Sequence, residues 1–164
     1  MNQPPAIRVR PATPGDAAAL GRLGALVVTL HHGFDPDRFI APGPRTERGY
    51  GRFLARELQR KEVILLVSEE RGAVLGYVYA GMEGSDWMAL RGPAGVIYDL
   101  VVDPERRREG IGRRLLEQTL AALAARGAPR VVLSTAEQNE AAQRLFASAG
   151  FRPTMIEMTR EWPD

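Results

Sequence analysis

Apolar side chains alternate or recur at helical spacing along the first third of the chain. Residues Ile7 to Arg10 alternate apolar and polar positions, which predicts a short strand. The run Thr13-Pro14-Gly15-Asp16 predicts the start of a helix, because Thr13 suits the N-cap and an acid follows three residues later. The helix that follows has one apolar face: Leu20, Leu23, Val27 and Leu30.

The sequence pattern in the middle of the chain predicts a loop, a helix and a hairpin. Glycines and prolines between His31 and Pro44 indicate the loop, and a second amphipathic helix follows it. The apolar side of that helix consists of Tyr50, Phe53, Leu54 and Leu58. Two strands, Val63 to Ser68 and Val74 to Met82, then flank Glu70-Arg71-Gly72, which is typical of a hairpin turn.

The last third of the chain mixes strands with helices. The predicted elements are a buried strand from Val96 to Val102, a helix from Gly112 to near Gly127, a strand from Val131 to Leu133, a helix from Glu140 to Ala149 and a closing hairpin or strand pair from Phe151 to Glu161. Strands that alternate with helices in this way predict an α/β fold with a mixed sheet of about six or seven strands and about four helices.

Composition narrows the class of protein. A chain of 164 residues with 45% hydrophobic and 26% charged residues predicts one globular domain over residues 1–164. No apolar run approaches a membrane span and no signal peptide is recognisable, so we expect a cytoplasmic protein without a membrane partner. Cysteine is absent and the two histidines are adjacent, His31 and His32, which argues against disulfides and against a metal site.

The charge of the chain is nearly balanced. There are 22 basic and 20 acidic residues, and Lys61 is the single lysine. Five arginines cluster at Arg106, Arg107, Arg108, Arg113 and Arg114. A nucleic-acid-binding protein would spread such charge along a face with interleaved aromatic residues, and that pattern is missing. We therefore expect no nucleic-acid partner.

The segment from Val102 to Gly112 carries the clearest chemistry. Gly110 and Gly112 stand at the start of a predicted helix, where free amides and the helix dipole favour an anion. Together with the neighbouring arginines they predict a phosphate site, the alternative being a glycine-containing turn with solvated charges. The segment lacks the lysine of a P-loop and the third glycine of a dinucleotide-binding turn.

Two motifs resemble the GNAT superfamily of acyl-CoA-dependent N-acyltransferases. The first is Arg107-x-x-Gly110-x-Gly112 after a strand that ends Val102-Asp103-Pro104. The second consists of Asn139, Ala142, Leu145, Phe146, Gly150 and Phe151. The resemblance implies a twisted mixed sheet whose fourth and fifth strands splay apart to hold CoA, with acetyl-CoA as co-substrate.

The resemblance also implies the residues that bind the cofactor. Backbone groups of Leu100, Val101 and Val102 would pair with the pantetheine. The pyrophosphate would lie against the amides of Arg108, Glu109, Gly110, Ile111 and Gly112 and the side chains of Arg107 and Arg113. Asn139, Ala142 and Phe146 would line the other side.

The implied reaction is transfer of an acetyl group to an amine, which requires groups that move protons. Phe146 stands where many relatives have a tyrosine that protonates the thiolate. Water or another hydroxyl would then serve, or the thiolate would leave unprotonated. The alternative is a non-catalytic acyl-CoA sensor. Asp99 and Tyr98 are the candidate catalytic residues. Asp99 is the favoured base, or else a structural partner for an arginine or backbone amides. Tyr98 could instead line the acceptor pocket. Because adjacent strand residues face opposite sides, only one of the two faces the acceptor unless a bulge intervenes.

The acceptor site is less defined by sequence. His31, Phe34 and Trp87 are candidate substrate-binding residues, although a histidine at a helix end also caps carbonyls and Phe34 suits a core. Trp87 could bind a cationic acceptor or belong to an interface. We expect a small-molecule amine or a protein N-terminus as acceptor. Homodimers are common in the family, but no dimer patch is recognisable in the sequence.

Overall fold

A computed structural model describes residues 6–163. Its elements in chain order are β1 (Arg8–Pro11), α1 (Ala17–Phe34), α2 (Thr46–Glu57), β2 (Val63–Glu70), β3 (Ala73–Glu83), β4 (Ala94–Val102), α3 (Ile111–Ala125), β5 (Val131–Leu133) and α4 (Glu140–Ser148). The sheet order is β1-β2-β3-β4-β5, and only the β4–β5 pair is parallel. No helix in the described range is long and apolar enough to span a membrane.

Each face of the sheet packs against its own pair of helices. On one face, Ile64 and Val78 pack with Leu115 of α3 and Phe146 of α4. On the other face lie α1 and α2, whose inward side chains, with their strand partners, include Leu20, Leu23, Leu54, Leu65, Val67 and Tyr77. Successive residues of β2 therefore serve opposite cores, as the period-2 geometry of a strand requires. The predicted inward face of α1 is confirmed at Leu20 and Leu23, whereas Leu30 is 39% exposed.

The two helices α1 and α2 touch backbone to backbone. A Cβ added to Gly51 would lie 2.4 Å from the carbonyl oxygen of Ala17, and one added to Gly21 would lie 2.3 Å from the carbonyl oxygen of Glu47. Any larger residue at either position would force the helices apart. These glycines therefore set the close spacing of the pair that covers the sheet.

A buried ionic network fastens the N-terminal strand. Arg10 Nη1 lies 2.8 Å from Asp16 Oδ2, and Arg10 Nε lies 2.6 Å from Glu69 Oε2. The Arg10 guanidinium lowers the pKa of Asp16 to about 2. Asp16 also accepts a hydrogen bond from the Thr13 amide at 2.8 Å, so the predicted helix start is confirmed. The network joins β1, β2 and the first turn of α1.

The structure corrects two expectations about the ends of elements. The sheet has five strands rather than six or seven, and residues from Phe151 to Glu161 form no strand. Phe151 packs against the core, but Met155 and Ile156 beyond it are exposed, and Pro153 has no amide to donate. Without a buried face, nothing holds that segment against β5. The second correction is that α1 continues to Phe34, so both histidines lie inside the helix.

Ser68 provides a direct test of core energetics. It is fully buried in β2, and its hydroxyl has no hydrogen-bond partner among the described residues. Because burying an unpaired hydroxyl costs about 1–3 kcal/mol, we expect Ser68→Ala to raise the free energy of unfolding by about 1 kcal/mol and the thermal midpoint by about 3 °C. Circular dichroism melting measures both.

Thr119 is the matched control for Ser68. It is equally buried, but its hydroxyl donates to the Leu115 carbonyl at 2.8 Å. Thr119→Val should therefore leave the unfolding free energy unchanged or lower it by up to about 1 kcal/mol. A stabilisation of both variants by the same amount would show that the unpaired state of the Ser68 hydroxyl is not the cause.

Candidate active site

The candidate binding cleft lies where β4 continues beyond its pairing with β5. The two strands pair over three positions, Gly95 with Val131, Val96 with Val132 and Ile97 with Leu133. Beyond these pairs β5 ends, while β4 continues to Val102. The β5-facing edge of β4 over Leu100, Val101 and Val102 is therefore left without a strand partner. The structure shows that the pairing of the fourth and fifth strands is short, and their splay stays a prediction.

A bulge in β4 lies beside this cleft. Asp99 pairs with Tyr79, but the next pair is Ile97 with Ala80, so Tyr98 is the additional residue. Tyr98 lies with its ring centroid 4.7 Å from that of Tyr79, on the face covered by α1 and α2. Asp99 contacts that same face. The bulge thus brings both side chains to one side of the sheet, which resolves the alternative left open by the sequence.

Asp99 is held by two tyrosine hydroxyls. Tyr77 donates to Asp99 Oδ2 at 2.9 Å, and the hydroxyl of Tyr50 on α2 donates to the same oxygen. Burial raises the pKa of the Asp99 carboxyl, although both hydrogen bonds and the charge of His31 act to lower it. The residue as a whole stays partly exposed. A desolvated carboxylate is suited to accept a proton.

Tyr98 lines the rim of the same region. Its hydroxyl donates to Glu83 Oε1 at 2.6 Å, and Arg91 Nη2 lies 2.6 Å from the other oxygen of that carboxylate. Burial raises the pKa of Tyr98, so the phenol stays protonated at neutral pH. The ring is 41% exposed. Tyr98 therefore exposes part of its aromatic ring beside Glu83, and its hydroxyl donates its proton in a hydrogen bond to that same carboxylate.

The loop before α3 exposes a series of backbone amides. Arg108 and Gly110 have φ angles of 69° and 75°, and the first turn of α3 closes with a bond from the Arg114 amide to the Gly110 carbonyl at 3.0 Å. Within the described chain, none of the amides from Arg107 to Arg113 donates a hydrogen bond. Free amides in left-handed turns at a helix start form a concave anion site. The residues present therefore fit the phosphates of an acyl-CoA.

The arginines of this loop have different roles. Arg106 is bound on both sides, by Glu70 at 3.0 Å and by Glu109 at 2.7 Å, so the Glu109 carboxylate is turned away from the amides. Arg113 donates to the Ser148 hydroxyl on α4 at 3.2 Å. Arg107 and Arg108 form no ion pair in the described structure. They are the cations available to an anion here.

Helix α4 packs beside the start of α3, on the same face of the sheet. Asn139 caps it, because its side-chain oxygen accepts a hydrogen bond from the Ala142 amide at 3.2 Å. Phe146 is 9% exposed and packs against Phe151 with ring centroids 5.8 Å apart. It belongs to the core and has no proton to donate. Ala142 is partly buried beside it.

The acceptor candidates divide into two groups. His31 and Phe34 are in contact, with ring centroids 5.9 Å apart, and Phe39 lies 5.1 Å from His31. His31 Nδ1 lies 2.8 Å from the Val27 carbonyl oxygen, which can only accept, so Nε2 of the neutral ring is the acceptor. Trp87 is 82% exposed on the β3–β4 loop. The structure does not bring it into ring contact with the other aromatic side chains described.

Sequence reasoning missed the tyrosines that surround Asp99. Tyr50 was expected in the core, and Tyr77 was not considered. The available signal was the run Tyr77-Val78-Tyr79, which places two hydroxyls on one face of a buried strand. Such hydroxyls need partners, and Asp99 and Glu57 supply them.

An unpaired strand edge, an amide-rich helix start and a desolvated carboxylate agree with the resemblance to acyl-CoA-dependent transferases. A sequence model of the acetyltransferase (GNAT) family matches residues 29–151. The chain belongs to this family. The resemblance inferred from the two motifs is confirmed.

Relatives and solved structures agree with this assignment. The chain is 32% identical over 142 residues to a mycothiol acetyltransferase from Thermobispora bispora, covering 78% of this chain and 46% of that protein. It spans less than half the length of the curated relatives of that name. A mutant of the BH1408 protein from Bacillus halodurans has a TM-score of 0.78 at 24% identity, over 95% of this chain and 98% of that one.

A structure in complex with CoA shares the fold as well. The aminoglycoside N-acetyltransferase AAC(6')-Iy has a TM-score of 0.73 at 14% identity, over 99% of this chain and 98% of that one. At such low identity the likeness concerns the fold alone. The predicted architecture is confirmed, with slightly fewer strands than expected.

Proposed function

We propose that this protein is an acetyltransferase that transfers the acetyl group of acetyl-CoA to a primary amine by direct attack, with both substrates bound at once. The observation that carries the proposal is the Asp99 cluster beside the unpaired edge of β4. It places a desolvated carboxyl at that position. Acetyl-CoA supplies the acetyl group in activated form as a thioester.

Different residues of the cleft bind different parts of acetyl-CoA in this proposal. The unpaired backbone of Leu100, Val101 and Val102 orients the pantetheine, as an added strand would be oriented. The amides from Arg108 to Gly112, with the side chains of Arg107, Arg108 and Arg113, hold the phosphates. Asn139, Ala142 and Phe146 form the other side of the cleft. Glu109 contributes its amide only, because its carboxylate is bound to Arg106.

Asp99 moves the proton in this proposal. As the nitrogen–carbon bond forms and the carbon–sulfur bond breaks, the proton of the amine passes to the Asp99 carboxylate. The hydroxyls of Tyr50 and Tyr77 hold the carboxylate in place. CoA leaves as the thiolate and takes a proton from water, since Phe146 has none to give. Tyr98 and His31 position the amine.

A small molecule is the favoured acceptor over a protein N-terminus. The relatives named mycothiol acetyltransferase support this choice. The exposed ring of Tyr98 also offers a cation–π surface to a compact cation, whereas the Glu83 carboxylate is already paired with Arg91. Phe34 would contact the apolar part of such an acceptor.

The test measures release of CoA thiol in the presence of small-molecule primary amines and of peptides with a free N-terminus. We expect one equivalent of N-acetyl product for each CoA released with a small amine, and no acetylated protein by mass spectrometry. Titration calorimetry with acetyl-CoA and with 3′-dephospho-CoA runs in parallel. Tight binding of acetyl-CoA without turnover across the panel would overturn the small-amine proposal, and preference for peptides would transfer it to protein N-termini.

A further inference from the structure

Four arginines form a stripe along the outer face of α2, opposite the side that covers the sheet. Arg45, Arg48, Arg52 and Arg56 recur at helical spacing, so they share one face and span about 16 Å. All four are exposed. Within the described residues none of them forms an ion pair or a side-chain hydrogen bond.

The four arginines of the stripe lack the carboxylate partners that many arginines of the chain have, as Arg107 and Arg108 before α3 also do. Eight other arginines are paired with carboxylates: Arg8, Arg10, Arg22, Arg38, Arg60, Arg91, Arg106 and Arg144. Arg60 directly after α2 is bound by Glu57 and Glu62. Within the described residues no carboxylate pairs with the stripe, and its particular feature is that four unpaired arginines lie on one helix face.

The arrangement opposes the stability of the helix that carries it. Arg48, Arg52 and Arg56 are spaced four residues apart, where like charges repel. Arg45 and Arg48 lie at the N-terminal end of α2, where the helix dipole disfavours cations. Folding gives no reason for such a pattern, whereas a bound anionic partner would relieve both costs.

A groove between α1 and α2 runs beside the stripe. Its volume is about 680 Å³, and its surface is formed largely by small side chains, with Arg48 and Arg52 along one side. The small residues are Ala17, Ala18, Gly43, Pro44, Gly51 and Ala55. Because Gly51 has no side chain and contacts the backbone of α1, no side chain protrudes into the bottom of the groove at this position. Glu47 is the one acid among the lining residues.

We propose that the arginine stripe and the groove of α1 and α2 form a docking surface for an acidic protein segment. Carboxylates of the segment would meet the guanidiniums, and its small apolar side chains would lie in the groove. A protein suits the site better than a nucleic acid, because no aromatic side chain lines the groove to stack on bases. The surface lies outside the cleft of β4 and β5, so the inference does not depend on the proposed acceptor.

The test uses the full chain and a fluorescein-labelled helical peptide of about 15 residues, with glutamate at every fourth position among alanines and leucines. Fluorescence anisotropy should show binding at low salt that weakens strongly near 0.5 M salt, about the range in which surface charges are screened. Arg48→Glu/Arg52→Glu should lower the affinity at least about tenfold. Arg130→Glu/Arg152→Glu is the matched control, since both arginines are exposed and outside the stripe, and it should stay within about twofold of the parent.

Three results would overturn the proposal. They are absence of peptide binding by the parent chain, equal loss in the control pair, and tighter binding of single-stranded DNA or of phosphatidylserine vesicles than of the peptide. Acetyl-CoA binding by each variant reports that it is folded. Arg48→Gln/Arg52→Gln repeats the measurement without introduced carboxylates and should also weaken binding.

Discussion

Replacing Gly110 with aspartate is expected to weaken acetyl-CoA binding by at least about 100-fold, which corresponds to about 2.7 kcal/mol. A Cβ at Gly110 would meet no described atom within 4 Å, so the added side chain projects into the open space beside the free amides before α3. There the carboxylate would occupy the place proposed for the phosphates and repel their charge. Titration calorimetry with acetyl-CoA gives the dissociation constant.

Gly72 provides the matched control for this substitution. It has a φ angle of 82° in the β2–β3 turn, close to the 75° of Gly110, and a Cβ there also meets no described atom within 4 Å. Gly72→Asp therefore carries the same backbone strain, about 1 kcal/mol of stability, and should leave acetyl-CoA binding unchanged. Similar binding losses in both variants, or in neither, would contradict the proposed phosphate site.

Replacing Asp99 with asparagine is expected to lower kcat by about 100-fold or more and to leave acetyl-CoA affinity unaltered. The amide oxygen of asparagine can accept the hydrogen bonds that Tyr50 and Tyr77 now donate to one carboxylate oxygen. The cluster would keep its shape but lose its capacity to take a proton. Steady-state kinetics over pH measures the effect, and the parent rate should fall as pH decreases through the raised pKa of Asp99.

The same substitution should increase stability, which separates the two roles of Asp99. Burial raises the pKa of this carboxyl above that of the unfolded chain. Its contribution to folding is therefore largest below the unfolded pKa of about 3.9 and is lost as pH rises through the folded pKa. At neutral pH the charged carboxylate opposes folding, and asparagine removes that cost. Unchanged kcat with increased stability would show that Asp99 is structural; Asp103→Asn, at an exposed ion pair with Arg22, controls for loss of an acid.

The features of the site that could be predicted are those that a run of consecutive residues determines. The loop from Val102 to Gly112 needed its glycines for left-handed turns, and the structure places a φ angle of 75° at Gly110. The strand from Val131 to Leu133 was also predicted with its correct bounds. Local sequence suffices for these features because local backbone geometry determines them.

The Asp99 cluster could not be predicted in the same way. It joins Tyr50 of α2 to Tyr77 and Asp99 of neighbouring strands, so it depends on packing between distant segments. The β4 bulge could not be predicted either, because the alternation of apolar and polar residues does not indicate where a strand contains an additional residue. The prediction of a strand pair from Phe151 to Glu161 was wrong for a different reason. This segment contains apolar residues such as Ile156, but they remain exposed and do not pack against the core.

The short pairing of β4 with β5 links the stability of the sheet to its cofactor. Only three residue pairs join β5 to the rest of the sheet, and α3 contacts β2, β3 and β4 much more extensively than α4 does. A pantetheine that lies along the unpaired edge of β4 would supply the contacts that the sheet lacks there. Acetyl-CoA at 100 times its dissociation constant would then add about 2.7 kcal/mol to the free energy of unfolding. The stability of the last third of the chain would therefore depend on the concentration of acetyl-CoA as well as on the sequence.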